Sequence, residues 1–221
     1  MITVLIVDDQ TLIRQAVADI LADHDEIAVV GQAADGQEAV EIARALHPDV
    51  VVMDIRMPHL DGIQATAAIC ADPGLADTKV LVLTTFEEDE YLVAALRAGA
   101  SGFIGKGSEP DDIVRAVRAV HAGDALLSPL ATRALIDRFV ATPPAARLES
   151  SPLISSLTER EQEVLRMVAK GRSNQEIADE LFISPHTAKT HVNRIMTKVH
   201  AHDRAQLVIL AYESGLHTPR E

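Results

Sequence analysis

Five polar residues offer chemistry in this sequence: Asp8 and Asp9 in "LIVDDQ", Asp54 in "VVMDIR", Thr84 in "VLTTF" and Lys106 in "FIGKGS". Each closes or directly follows a run of aliphatic residues. Carboxylates held close together repel and raise one another's pKa values unless a cation joins them. An all-oxygen donor set with room for water and a phosphate suits Mg²⁺, or Mn²⁺ in its place. The Thr84 hydroxyl can donate to a phosphoryl oxygen, and the Lys106 ammonium is a point charge suited to the same oxygens. Singly these residues have plain explanations, since Asp8 or Asp9 could cap the following helix and Thr84 or Lys106 could be turn residues. Together they outline a phosphoryl site.

Lys106 between two glycines also raises the possibility of a nucleotide-binding P-loop. That motif needs glycine, four residues, then Gly-Lys-Ser/Thr, but Ala100 stands at its first position and Gly107 at its last. A nucleotide-binding loop is therefore not expected around Lys106.

The elements that must position these groups can be read from periodicity. Over the first 121 residues, "ITVLIV", "IAVVGQ", "DVVVMD", "KVLVLT" and "SGFIG" read as strands separated by amphipathic, helix-length stretches, giving five βα units. Strands apolar on both faces with helical crossovers predict a doubly wound α/β fold with a parallel five-stranded sheet. Ligands in such folds sit at the carboxyl ends of the strands, where all five residues fall.

Past Gly123 the pattern weakens, although "PLATRALIDRFV" could form one short helix. "ATPPAARLESSP" has the composition of a flexible linker, which we place within residues 122–155. Helices are then predicted at about 158–169, 174–181, 185–199 and 203–214. Thr158 with Glu161 and Ser173 with Glu176 have capping-box spacing, and Ser184 before Pro185 gives an N-cap followed by a favourable first helical residue.

The net charge of −13 taken whole argues against a nucleic-acid partner. From Pro152 to Glu221, however, nine Lys and Arg balance nine Asp and Glu, so the whole excess lies in the first 151 residues. Within Ser184–Arg204 the balance is positive, with Lys189, Arg194, Lys198 and Arg204 against Asp203. The helix at 185–199 has Ala188, Val192, Ile195 and Val199 on one stripe, expected to pack on Leu165, Val168, Ile177 and Leu181. Its other face presents Lys189, Thr190, Asn193 and Thr197, with Arg194 and Lys198 beside them for phosphates, as a DNA-reading helix requires. A solvated helix face is the competing explanation.

No apolar run approaches the length of a membrane span, and the N-terminus has no export pattern, so a cytoplasmic protein is expected. Cys70 is the only cysteine, consistent with a reducing compartment, and is expected to be a small buried side chain on a helix. His186, His191, His200, His202 and His217 show no metal-ligand spacing, and His191 is expected at the edge of the helical core.

Residues 1–121 resemble the receiver domains of two-component response regulators. The resemblance rests on Asp8 and Asp9, "MDIRMP" around Asp54, "DG" at Asp61 and Gly62, Thr84 and Lys106. It implies the flavodoxin-like strand order 2-1-3-4-5 and a phosphoryl group transferred from a sensor histidine kinase to Asp54. It further implies Mg²⁺ held by Asp8, Asp9, Asp54 and the backbone carbonyl of Arg56, with Thr84 and Lys106 on the phosphoryl oxygens. Phe103 matches the family's aromatic switch position, turning inward as Thr84 moves and altering the surface of the fourth helix, fifth strand and fifth helix. The other explanation for Phe103 is an ordinary core aromatic.

Residues 156–217 resemble the LuxR-type helix-turn-helix domain of the NarL/FixJ subfamily through "LTEREQEVL", "GRSNQEIADELFIS" and "TAKTHVNRIMTKV". That resemblance implies an all-α four-helix DNA-binding domain. It implies base contacts from Lys189, Thr190 and Asn193 on double-stranded promoter DNA, and a homodimer through the helix near Asp203, formed on phosphorylation or DNA binding. Ala188, Asn193 and "VHAHDR" depart from the family's usual residues, so its operator sequences do not carry over.

The expected function is a DNA-binding transcriptional regulator, not an enzyme beyond the receiver's help in its own phosphorylation and dephosphorylation. One alternative is an aspartyl-phosphate phosphohydrolase, which needs a second acid near the nucleophile, but "IRMP" follows Asp54. The other is a receiver acting as a phosphorylation-independent interaction module.

Overall fold

The structure, a computed structural model, describes residues 1–84, 89–123, 152–201 and 204–216. The chain divides into two units, Met1–Thr132 and Arg133–Glu221.

In the first unit the aliphatic runs form β1 (Ile2–Val7), β2 (Ile27–Ala33), β3 (Val50–Asp54), β4 (Lys79–Thr84) and β5 (Gly102–Gly105). All neighbours pair in parallel, in the order β2-β1-β3-β4-β5, as the resemblance implies. Helices α1 (Thr11–Ala22), α2 (Gly36–Leu46), α3 (Gly62–Cys70), α4 (Asp89–Ala98) and α5 (Pro110–His121) make the crossovers. Every residue of β3 is buried, which is why its run shows no polar alternation. Val4, Ile6, Val50, Val52, Leu81 and Leu83 pack with Val17 and Leu21 of α1 and Ile113 and Val117 of α5 in one cluster. Strand residues alternate sides, so Leu5, Val51 and Met53 fill the opposite face, where α2 lies against β1 and α3 against β3. Each such buried side chain contributes on the order of 1.5–3 kcal/mol relative to exposure.

Asp35 and Asp61 start α2 and α3 by accepting from the Glu38 and Gln64 amides at 2.9 and 2.8 Å. Pro110 opens α5, with Asp111 and Asp112 in its first turn and Arg118 in its last, charges that suit the helix dipole. Cys70 departs from expectation: it is the last residue of α3 and only half-buried, its thiol 3.4 Å from the Gly99 carbonyl oxygen.

The second unit contains α6 (Pro152–Ser155), α7 (Glu159–Ala169), α8 (Asn174–Leu181), α9 (Pro185–Val199) and α10 (Arg204–Glu213). Both capping boxes form, at Thr158 with Glu161 and at Ser173 with Glu176, and Ser184 caps α9 ahead of Pro185. The stripe of Ala188, Val192, Ile195 and Val199 is buried along with Leu165, Val168 and Ile177. Leu181 is only half-buried, because α8 stops there and Phe182 turns into the left-handed region at φ 55°. His191 is half-buried, as expected for the edge of this core.

Helix α6 was not anticipated. Its residues belong to the stretch expected to be linker, yet Ile154 is buried and α6 lies against α9. Pro152 is favourable in a first helical turn, and Ile154 gives that turn something to bury, while Leu153 stays exposed. The short helix suggested by "PLATRALIDRFV" lies outside the described residues.

Candidate functional site

Strand register brings the acids together. Val7 pairs with Met53, so Asp8, the next residue, emerges level with Asp54 at the end of β3. Thr84 pairs with Gly105, and the Lys106 amide donates to the Thr84 carbonyl at 2.8 Å, which puts Lys106 at the same sheet edge. The Lys106 ammonium reaches 2.7 Å from Asp8 Oδ2 and 2.8 Å from Asp54 Oδ2. Asp8 is fully buried and Asp54 nearly so, whereas Asp9 is exposed.

Each polar atom of Asp8 meets a different neighbour. Oδ1 accepts from the Gln10 amide at 2.9 Å, and the backbone carbonyl accepts from Arg14 Nη1 at 2.6 Å. Oδ2 has as its one close partner the Lys106 ammonium, which it shares with Asp54, and this leaves a buried anionic oxygen under-satisfied. Carboxylate oxygens of Asp8, Asp9 and Asp54 lie within 4.8 Å of one another. Under-satisfied, closely spaced oxygen donors fit a hard divalent cation.

The electrostatics agree. Burial pushes the Asp54 carboxyl above the usual carboxylate range, against the pull of Lys106, and the Asp8 charge adds to the rise. For Lys106, burial works against the ammonium, but hydrogen bonding and charge from Asp54 and Asp8 outweigh it and hold the pKa above its ordinary value. A carboxylate kept short of compensation is disposed to accept positive charge or to form a bond at oxygen.

One part of this geometry carries no cue in the sequence pattern, and another is marked by the resemblance without its physical reason. Arg14 reaches back from the first turn of α1 to the Asp8 carbonyl and to Thr11 Oγ1, fixing the β1–α1 loop. Gly62 sits where no side chain fits: an added Cβ would lie 1.9 Å from the Asp54 carbonyl oxygen. Its amide donates to the Ile55 carbonyl at 2.9 Å, so α3 starts directly against the peptide that carries Asp54. The "DG" pair at Asp61 and Gly62 thus combines a helix cap with a steric requirement.

Phe103 is buried, 3% exposed, and pairs with Val82 in the sheet. Thr84 is half-buried at the end of β4. Arg56 is exposed and lines an open groove with Ile55, Met57, Asp61, Ile63 and Tyr91.

In the second unit, α9 exposes Lys189, Asn193, Arg194 and Thr197 opposite its buried stripe, while Thr190 is half-buried. The Thr190 and Thr197 hydroxyls donate to the carbonyls of His186 and Asn193, one turn back. Lys198 has a partner that spacing does not disclose, for its ammonium lies 2.7 Å from Glu161 Oε2 on α7.

Residues 4–118 match the family model of the response regulator receiver domain, and residues 155–211 match that of bacterial regulatory proteins of the luxR family. The transcriptional regulatory protein LnrK of Bacillus subtilis is 38% identical over 219 residues, covering 98% of this chain and 99% of LnrK. The response regulator VraR of Staphylococcus aureus is 39% identical over 215 residues, covering 97% of this chain and 98% of VraR. The crystal structure of the response regulator ChrA, from a heme-sensing two-component system, covers 98% of both chains at 33% identity with a TM-score of 0.53. Among the described residues, no helix is long and apolar enough to cross a membrane. With the receiver and helix-turn-helix models matched in order along one chain, the protein belongs to the NarL/FixJ family of two-component response regulators, phosphorylation-regulated DNA-binding transcription factors and not enzymes.

Proposed function

We propose that Asp54 takes a phosphoryl group from the phosphohistidine of a sensor histidine kinase, and that this controls promoter binding by the second unit. The carrying observation is the buried Asp8–Lys106–Asp54 cluster, with Lys106 within 2.8 Å of both carboxylates and Asp8 Oδ2 under-satisfied. An Asp54 oxygen attacks phosphorus as the bond from phosphorus to the histidine nitrogen breaks. Lys106 follows the charge onto the phosphoryl oxygens, joined by the Thr84 hydroxyl. Asp8, Asp9, Asp54 and the backbone carbonyl of Arg56 would hold Mg²⁺, or Mn²⁺, which when bound neutralises charge on the transferring group. Phe103 then reports the change by shifting between two packings at β5.

On this reading residues 1–121 are the receiver, 122–155 join the domains, and 156–217 bind DNA. Lys189, Thr190 and Asn193 face base edges and Arg194 a phosphate. The chain acts in the cytoplasm, as a homodimer once phosphorylated or bound to DNA. To test it, wild type and Asp54→Asn are treated with acetyl phosphate and Mg²⁺, then compared by intact mass, DNA affinity and oligomer size. Wild type gains one phosphoryl group with changed affinity and size, and the variant gains none. Equal responses from both overturn the proposal.

A further inference from the structure

Lys198 sits in the last turn of α9, beside the face assigned to DNA, where a basic residue would ordinarily be credited with a phosphate contact. Its surroundings argue otherwise. Glu161 is only 6% exposed, and a single oxygen, Oε2, meets three donors: the Thr158 amide at 2.8 Å, the Thr158 hydroxyl at 3.0 Å and the Lys198 ammonium at 2.7 Å. Burial alone would raise the Glu161 pKa, but Lys198 and Thr158 together hold it below the ordinary glutamate range. The carboxylate therefore stays charged, and removing Lys198 would leave a buried anion with neutral Thr158 donors and no countercharge.

We infer that Glu161 and Lys198 form an interhelical strut that sets the position of α9 against α7, and that Lys198 is a positioning residue and not a DNA-phosphate contact. The capping box fixes Glu161 at the first turn of α7, and the ion pair ties that fixed point to the far end of α9. The angle at which Lys189, Asn193 and Arg194 meet a groove is set partly by this tie. Counterion release counts protein cations that newly neutralise phosphates. An ammonium already neutralised by Glu161 adds little to that count. This inference rests on α9 being the DNA-reading helix.

The test is the salt dependence of DNA binding by the full chain, using a 40-base-pair duplex selected from random sequence with the wild-type protein. On a plot of log affinity against log salt, Arg194→Gln is expected to flatten the slope by about 0.9, the value for one lost phosphate contact. Lys198→Gln should weaken binding severalfold while leaving the slope unchanged. Lys198→Arg, which can still reach Glu161, should restore affinity to within about twofold of wild type. A Lys198→Gln slope flattened by about 0.9, or wild-type affinity in that variant, overturns the inference. If Lys189→Gln, Asn193→Ala and Arg194→Gln all bind as wild type does, the assignment of α9 to DNA fails instead, and the two failures are told apart.

Discussion

Each unit of this protein buries a carboxylate beside a lysine, and the two clusters are finished differently. In the second unit Glu161 Oε2 is met by three donors and its pKa is pulled below the ordinary range. In the first, Asp8 and Asp54 share Lys106, that shared ammonium is the one close partner of Asp8 Oδ2, and the Asp54 pKa is pushed up. A buried charge whose partners are complete holds elements together, while one left short of partners is poised for a ligand or a reaction. On the proposed function, the difference separates a structural ion pair from a reactive site without appeal to the identity of either residue.

That contrast can be broken at the reactive end first. Asp54→Asn should abolish phosphoryl uptake from acetyl phosphate, read by intact mass. Its thermal unfolding midpoint should not fall, since one of two like charges around Lys106 is gone while Asp8 remains as partner. A marked loss of stability would place Asp54 with Glu161 as a structural group. Next in size is Gly62→Ala. Because the new methyl would collide with the Asp54 carbonyl oxygen, urea unfolding should show a cost on the order of 3 kcal/mol in the receiver, together with slower phosphoryl uptake.

At the structural end, Glu161→Ala removes half a capping box and leaves Lys198 without its partner. A cost of about 2 kcal/mol to the second unit is expected in denaturant melts, with phosphoryl uptake untouched. The smallest effect is on pH dependence. A carboxylate whose folded pKa is depressed contributes stability above its unfolded pKa and loses that contribution as pH falls through the folded value. The Glu161 contribution should accordingly be full above the ordinary glutamate range and disappear below it. Acid titration followed by helical circular dichroism should show Glu161→Gln with a shallower decline than wild type over that window.

How far these clusters could be read from the sequence depended on the distance over which the physics acts. Asp8, Asp54 and Lys106 were legible because each ends an aliphatic run, and a parallel sheet with both faces covered aligns such ends along one edge. Thr158–Glu161 and Ser173–Glu176 were legible because a capping box is complete within four consecutive residues. The Glu161–Lys198 pair was not, since it joins two helices across 37 positions and no periodicity links them. Arg14 was hidden for another reason: its partner is a backbone carbonyl, which no residue type advertises. Helix α6 was read as linker because proline and serine dominate its surroundings, although Ile154 alone gave that turn a reason to pack.

The fit of Gly62 against the Asp54 peptide has a practical side for protein engineering. Residue 62 and the backbone of residue 54 occupy shared space, so the two segments can be transplanted only as a matched set. A library that varies the β3–α3 loop to retune phosphate lifetime must hold position 62 at glycine. A chimera that joins β3 of this receiver to the α3 of another must place a glycine at the junction.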